Sequence, residues 1–373
     1  MPSWFDHLPK VSSRKEFMDT LSGIMRSEVA EDEIEEEGEE RRGRPRELKS
    51  YLVETNSKPS ESYLTEKFQF KIRPTGLDNL KILQLGLGMS KSAEFYVDMQ
   101  DERFWVMHTG ALANDAHRLV SLLTHIPEFQ FDRAWIPAQM LEGVTKTQAN
   151  RFEGFGLDYY DYFVPEDSGE VPIEELSMSV SGSNAKQALD AMRSKPALQK
   201  SVSYNKIRIK RGDVLKFAKD DITQWGNFSV KDGDSIDDHI ALVEEVRGDY
   251  RQAVSQVEKS RLVGKESGNP RLEGKAFNIT FESASPGLEF FIERLFSGTE
   301  PFRLWGIKSR VDKDYYQVNA IDLHSGYPLD FEIAPGLIRV YLSDRTCGNA
   351  LLRLYVNLQH YFDSRVSCPE LYS

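Results

Sequence analysis

Cysteine is nearly absent from this 373-residue chain: only Cys347 and Cys368 occur, both in its last thirty residues. Two thiols cannot build a disulfide framework, and two alone cannot complete a zinc site. Both are read as free thiols in a reducing compartment: the cytoplasm, or the nucleus if the source is eukaryotic. Long apolar runs are absent too. None approaches the ~20 residues that span a bilayer, so no membrane association is expected. The first ten residues, MPSWFDHLPK, lack a basic stretch followed by an apolar one, so no signal peptide is expected. No catalytic motif is complete, no internal repeat is visible, and neither a cofactor nor a metal is expected.

Apolar residues make up 40% of the chain and aromatic ones 11%, enough to fill sizeable cores. The length suits two domains. The net charge of −12 is unevenly spread: residues 28–40 hold nine acids and no Lys or Arg, and the remainder is close to neutral. Charge therefore neither excludes nor invites a polyanionic partner.

Periodicity divides the chain in three. Residues 1–62 read as an arm. It begins with an amphipathic helix over 13–27, with Ser13 and Glu16 as a capping pair and Phe17, Leu21, Ile24 and Met25 on one face. An acidic-then-basic linker follows, of a composition that buries little. Such a helix docks on its own domain or in a partner's groove. Residues 63–165 read as a first α+β unit, with short alternating runs around Phe68–Ile72, Lys81–Leu85, Phe95–Val97 and Phe104–Met107 and a helix over Ala111–Leu123. The acidic Pro- and Gly-bearing stretch Glu166–Glu175 marks a boundary. Residues 176–373 read as a second unit, in which Ser235–Leu262 is a long helix, four strands follow Phe302, and Asn349–Phe362 is the closing helix. Strands in succession favour α+β architecture with mainly antiparallel sheets over a doubly wound one.

Among charged motifs, Arg42-Gly43-Arg44-Pro45 stands out, within the run RRGRPRELK. It resembles the core of an AT-hook, a short element that lies in the minor groove of A·T-rich DNA. Glycine lets the backbone approach the groove floor, and the two arginines meet the strong negative potential of a narrow groove. Further on, Lys206, Arg208 and Lys210 alternate with Ile207 and Ile209, and Arg211 follows. On a strand this puts three cations on one face, a row that could track phosphates or guard an edge. Tyr204 and Trp225 are candidate base-stacking partners.

Arg353, Asn357 and His360 form one polar stripe on the last helix. Their Arg-x6-His spacing resembles the catalytic spacing of HEPN ribonucleases. The resemblance implies an arginine that stabilises phosphate charge and a histidine for acid–base work on a ribose hydroxyl. Other polar groupings are Asp322, His324 and Ser325 at a strand end, Asp98, Asp101, Glu102 and His108, and Asp232, Asp234, Asp237, Asp238 and His239 at a helix start. The last group would suit a divalent cation but first of all caps the helix. Gly86-Leu87-Gly88 before Ser90-Lys91 lacks phosphate-loop spacing.

The expectation is a non-catalytic, nucleic-acid-associated accessory or sensor subunit of an intracellular assembly. It would contact DNA or RNA through Arg42 to Pro45 and the basic strand, and a protein partner through the 13–27 helix. The alternatives are a HEPN-like ribonuclease using Arg353 and His360, and a pure protein-interaction subunit.

Overall fold

Alternation decides the fold of the last third of the chain. Along Tyr315–Asp322, Tyr316, Val318, Ala320 and Asp322 are buried while Gln317, Asn319 and Ile321 are exposed. A period of two requires a sheet with one packed and one wet face, the usual state of antiparallel strands. The computed structural model, which describes residues 7–27, 47–55, 70–86, 92–125, 131–164, 173–265, 271–282 and 287–372, places this strand in a five-stranded antiparallel sheet. Its order is Phe277–Thr280, Leu337–Leu342, Pro328–Ala334, Tyr315–Asp322, Leu304–Asp312. With seven helices and a larger sheet of eleven strands among the described residues, the protein is α+β.

The chain divides into two compact units. Unit 1 takes residues 1–134, 144–152 and 208–247; unit 2 takes 135–143, 153–207 and 248–373. These bounds differ from the expected ones, because residues read as arm or as second unit supply strands to unit 1. The strand Lys49–Thr55 pairs with Phe104–Thr109 and with Asn227–Gly233, and further along with Phe131–Arg133. Outward from Phe104–Thr109 come Ser92–Asp98, Leu80–Gly86 and Lys71–Pro74; beyond Asn227–Gly233 lies Phe217–Thr223.

The helix Arg14–Arg26 is docked on unit 1. Ser13 Oγ accepts from the Glu16 N–H at 3.2 Å, as the capping pair predicts. Phe17, Leu21, Ile24 and Met25 are all buried, in one cluster with Leu80, Ile82, Tyr96, Val230 and Ile236. Each such side chain contributes about 1.5–3 kcal/mol by leaving water. Polar bonds lock the approach: Arg14 meets both oxygens of Asp98 at 2.5 and 2.9 Å, and buried Glu94 accepts from Arg73 and from the Leu8 N–H, each at 2.5 Å. The expectation of a separable arm is thereby corrected for residues 7–27 and 47–55. The charged linker itself lies outside the described residues.

Unit 2 centres on the helix Gly348–Tyr361, buried from Gly348 to His360. It is buried nearly all round, its polar side chains included, as a core helix is. Gly348 is required there: a Cβ would stand 2.7 Å from the Val254 carbonyl oxygen. Phe163 stacks on Phe291 at 4.6 Å between centroids, and Phe281 meets Phe362 edge-on at 5.0 Å. Both cysteines are buried free thiols, as expected, and burial pushes the Cys368 thiol up to about 12. Among the described residues no helix is long and apolar enough to cross a membrane.

Candidate functional site

Two groupings that lie apart in the sequence meet in unit 2. The strand Tyr315–Asp322 ends by burying Asp322, and Arg353 on the core helix donates from Nη2 to its Oδ1. The other oxygen accepts from Ser325 Oγ at 2.6 Å, and the His324 N–H donates to Oδ1 at 3.1 Å. Burial works against the Asp322 charge, but the Arg353 guanidinium and these donors hold its carboxyl below the usual range. Beside it, Arg303 Nη1 lies 3.3 Å from His324 Nδ1. A guanidinium only donates, so Nδ1 accepts and the His324 proton sits on Nε2. Arg303 adopts φ 53°, a left-handed conformation that costs a non-glycine residue on the order of 1 kcal/mol. Asn357 donates to the Pro301 carbonyl at 2.9 Å. His360 is buried, and burial lowers its pKa against the opposing pull of Asp158. Arg353, Asn357 and His360 thus form one stripe, as the spacing predicts, but a stripe turned into the core. Ser325 Oγ and the His324 N–H both bond back to Asp322, so the cluster fastens the turn that follows the strand.

Unit 1 holds a second grouping. Asp220 Oδ1 lies 2.7 Å from His239 Nδ1, His239 Nε2 lies 2.8 Å from Ser50 Oγ, and Ser50 Oγ lies 2.7 Å from His108 Nδ1. A carboxylate oxygen accepts, so His239 Nδ1–H donates to Asp220, and the Ser50 hydroxyl bridges His239 Nε2 and His108 Nδ1. Burial first, and the neighbouring His239 second, push His108 down to about 3, so it stays neutral. Asp, His and Ser stand in the order of a hydrolytic triad. Yet Ser50, His239 and Asp220 are 0% exposed, His108 covers the far side of the hydroxyl, and Phe17 lies edge-on to His108 at 5.6 Å. The row ties three strands to the helix Ile236–Lys259. Asp220 Oδ2 meets no hydrogen-bond partner among the described residues.

The basic strand is Lys206–Gly212, with Ile207 and Ile209 fully buried as the alternation predicts. Three of its cations, half-buried, have partners on neighbouring elements. Arg208 grips Asp221 with Nε and Nη2 at 2.6 and 2.9 Å, Arg211 pairs with Glu245 at 2.5 Å, and Lys210 Nζ sits 3.6 Å from the centre of the Phe217 ring. Tyr204 is buried beneath the Arg193 guanidinium, 5.0 Å from its ring centre. The segment Arg42 to Pro45 lies outside the described residues, as do residues 87–91 of the glycine-bearing loop.

The remaining candidates disperse. Asp98 pairs with Arg14 on the docked helix, and Asp101 caps the Arg103 and Phe104 N–H groups at 2.9 and 3.0 Å. Asp232 lies 3.5 Å from Lys219 and Asp237 3.1 Å from Lys216, while Ser235 Oγ accepts from the Asp238 N–H at 3.4 Å as a helix cap. Ser50 and Asp220 were not singled out by sequence. They lie 170 residues apart, and only the fold brings them to the two histidines.

Fold and sites together define an α+β protein of two units, each holding a buried polar cluster that links several elements. The chain matches the model of the MJECL33-like protein family over residues 6–370 and belongs to that family. It is similar to the uncharacterized protein MJECL33 of Methanocaldococcus jannaschii, with 26% identity over 355 residues and 85% of each chain covered.

Proposed function

We propose that this protein is a non-catalytic, nucleic-acid-associated accessory or sensor subunit of a larger intracellular assembly. One observation carries the choice over a ribonuclease: Arg353 is ion-paired with Asp322, the two side chains being 5% and 1% exposed. A ribonuclease of the Arg-x6-His kind needs its arginine and histidine open to phosphate and ribose. Here the guanidinium serves a buried carboxylate, and His360 lies in the same core. The docked helix Arg14–Arg26 has its apolar face occupied by unit 1, which argues against its serving as the partner-binding element.

The nucleic-acid contact is assigned to Arg42, Gly43, Arg44 and Pro45, on the strength of their sequence. Arg208 and Arg211 give it less support, since Asp221 and Glu245 hold them. The test is fluorescence anisotropy with A·T-rich and G·C-rich duplexes across a salt series. Arg42→Ala with Arg44→Ala should weaken A·T-rich binding selectively and flatten the salt slope by about 0.9 log unit per lost phosphate contact. Absence of retention on any DNA or RNA at low salt would end the nucleic-acid reading. Metal-independent RNA cleavage that His360→Ala removes, with the fold intact by circular dichroism, would install the ribonuclease.

A further inference from the structure

The strand Phe104–Thr109 turns alternate side chains to opposite faces. His108 joins the buried row on one face. Trp105 and Met107 look the other way and, with Leu83, Val97, Met99 and Phe131, line a cavity of about 470 Å³ within unit 1. That lies inside the range of about 300–1,000 Å³ typical of small-molecule sites. The walls are apolar, and the two thioethers make them adaptable, because methionine fits both aliphatic and aromatic shapes. The indole is held: Trp105 Nε1 donates to the Glu102 carbonyl at 3.1 Å, and its ring meets Phe131 at 5.4 Å and 65°. A wall fixed beforehand loses little freedom when a ligand arrives.

The cavity's polar lining carries a sign. Asp78 and Glu102 contribute two carboxylates, against the single ammonium of Lys81. An anionic head group there would meet net like charge, and a cationic one net attraction, to which a Trp ring can add. We propose that this cavity binds a small amphiphilic cation, its apolar body against Met99, Met107 and Trp105 and its positive head beside Asp78 and Glu102. The assignment deepens the sensor part of the proposed function and rests on it, by giving the sensor a ligand class.

Decylamine and decanoate share an apolar chain and differ in charge, so they serve as probes in isothermal titration calorimetry of the full chain below their micelle concentrations. Decylamine should bind about tenfold more tightly than decanoate at low salt, with the gap shrinking as salt rises. Asp78→Asn with Glu102→Gln should bring the two affinities to within about twofold of each other while both probes still bind. Met99→Trp fills the cavity and should abolish both, with an unchanged circular dichroism spectrum and melt. Equal or tighter binding of decanoate by the native chain overturns the proposal, as does binding of neither probe or binding that Met99→Trp leaves untouched. Duplex retention measured on the same samples separates the two readings. A chain that keeps DNA but ignores decylamine loses the cavity assignment alone, and the converse loses only the nucleic-acid contact.

Discussion

Arg353 donates its Nη2 proton to Oδ1 of Asp322, joining the core helix of unit 2 to the end of the strand Tyr315–Asp322. Removing one member of a buried ion pair leaves the other uncompensated, at a cost of about 3–5 kcal/mol. Arg353→Met should therefore lower the unfolding free energy by that amount in urea titrations. Asp322→Asn, which leaves the buried guanidinium without its counter-charge, should cost a comparable amount. A loss under about 1 kcal/mol for Arg353→Met would mean the pair is not a structural fastening.

Phe17 is buried against Tyr96 and His108, with ring centroids 5.3 and 5.6 Å away. Phe17→Ala should destabilise unit 1 by about 3–5 kcal/mol through lost burial and the cavity left behind. A chain lacking residues 1–27 should melt at a lower temperature for the same reason. Coincident melts of the intact and shortened chains would show that the helix is an appendage.

His108 gives the fold an acid sensitivity of known sign. Above about 6.5 the folded and unfolded chains both hold it neutral; between 6.5 and about 3 only the unfolded chain takes up the proton. Stability is therefore lost as the pH falls through that window, by at most about 1.4 kcal/mol per pH unit for this one group. His117 is lowered to about 4, by burial and then by Lys49 and Arg133, and acts in the same direction. Urea unfolding at several pH values between 7 and 5 should show a shallower pH dependence for His108→Gln than for the native chain. Parallel dependences would remove His108 as the cause.

Arg208 offers a test of which cations are structural. Its bidentate grip on Asp221 predicts that Arg208→Ala lowers stability by about 2–4 kcal/mol, since nearly buried Asp221 loses its guanidinium partner. Duplex affinity should stay within about twofold of the native value. A stable variant with weakened, sequence-independent DNA binding would return Arg208 to the nucleic-acid surface.

The α+β class and most of the unit 2 sheet were legible in the sequence, because strands with one wet face announce themselves by alternation. Leu337–Leu342 follows the expected bounds, and Gly348–Tyr361 lies within one residue of them. Lys49–Thr55 was hidden by its own burial. All seven of its residues are inside, so no alternation marks it, and Lys49, Ser50 and Glu54 make it read as linker. Phe217–Thr223 was obscured by Asp220 and Asp221, which belong to the interior only because His239 and Arg208 meet them there. Two of the four members of the unit 1 cluster, Ser50 and Asp220, sit on these two unforeseen strands. The Arg353 stripe was visible as a stripe, whereas its partner Asp322 was read as part of a separate site.

Unit 1 is stitched from three stretches of chain, the last ending at residue 247, and Lys49 stands opposite Ser229 in its sheet. A ribosome delivers the first of these strands long before the second. Through that interval the edge later covered by Asn227–Gly233 is open, and the imidazole of His239 has not yet been made. Sheets closed by such distant partners form slowly, and their waiting edges invite pairing with other chains. Products stopped short of residue 227 should therefore collect in the insoluble fraction, whereas chains extended past the helix Ile236–Lys259 should not.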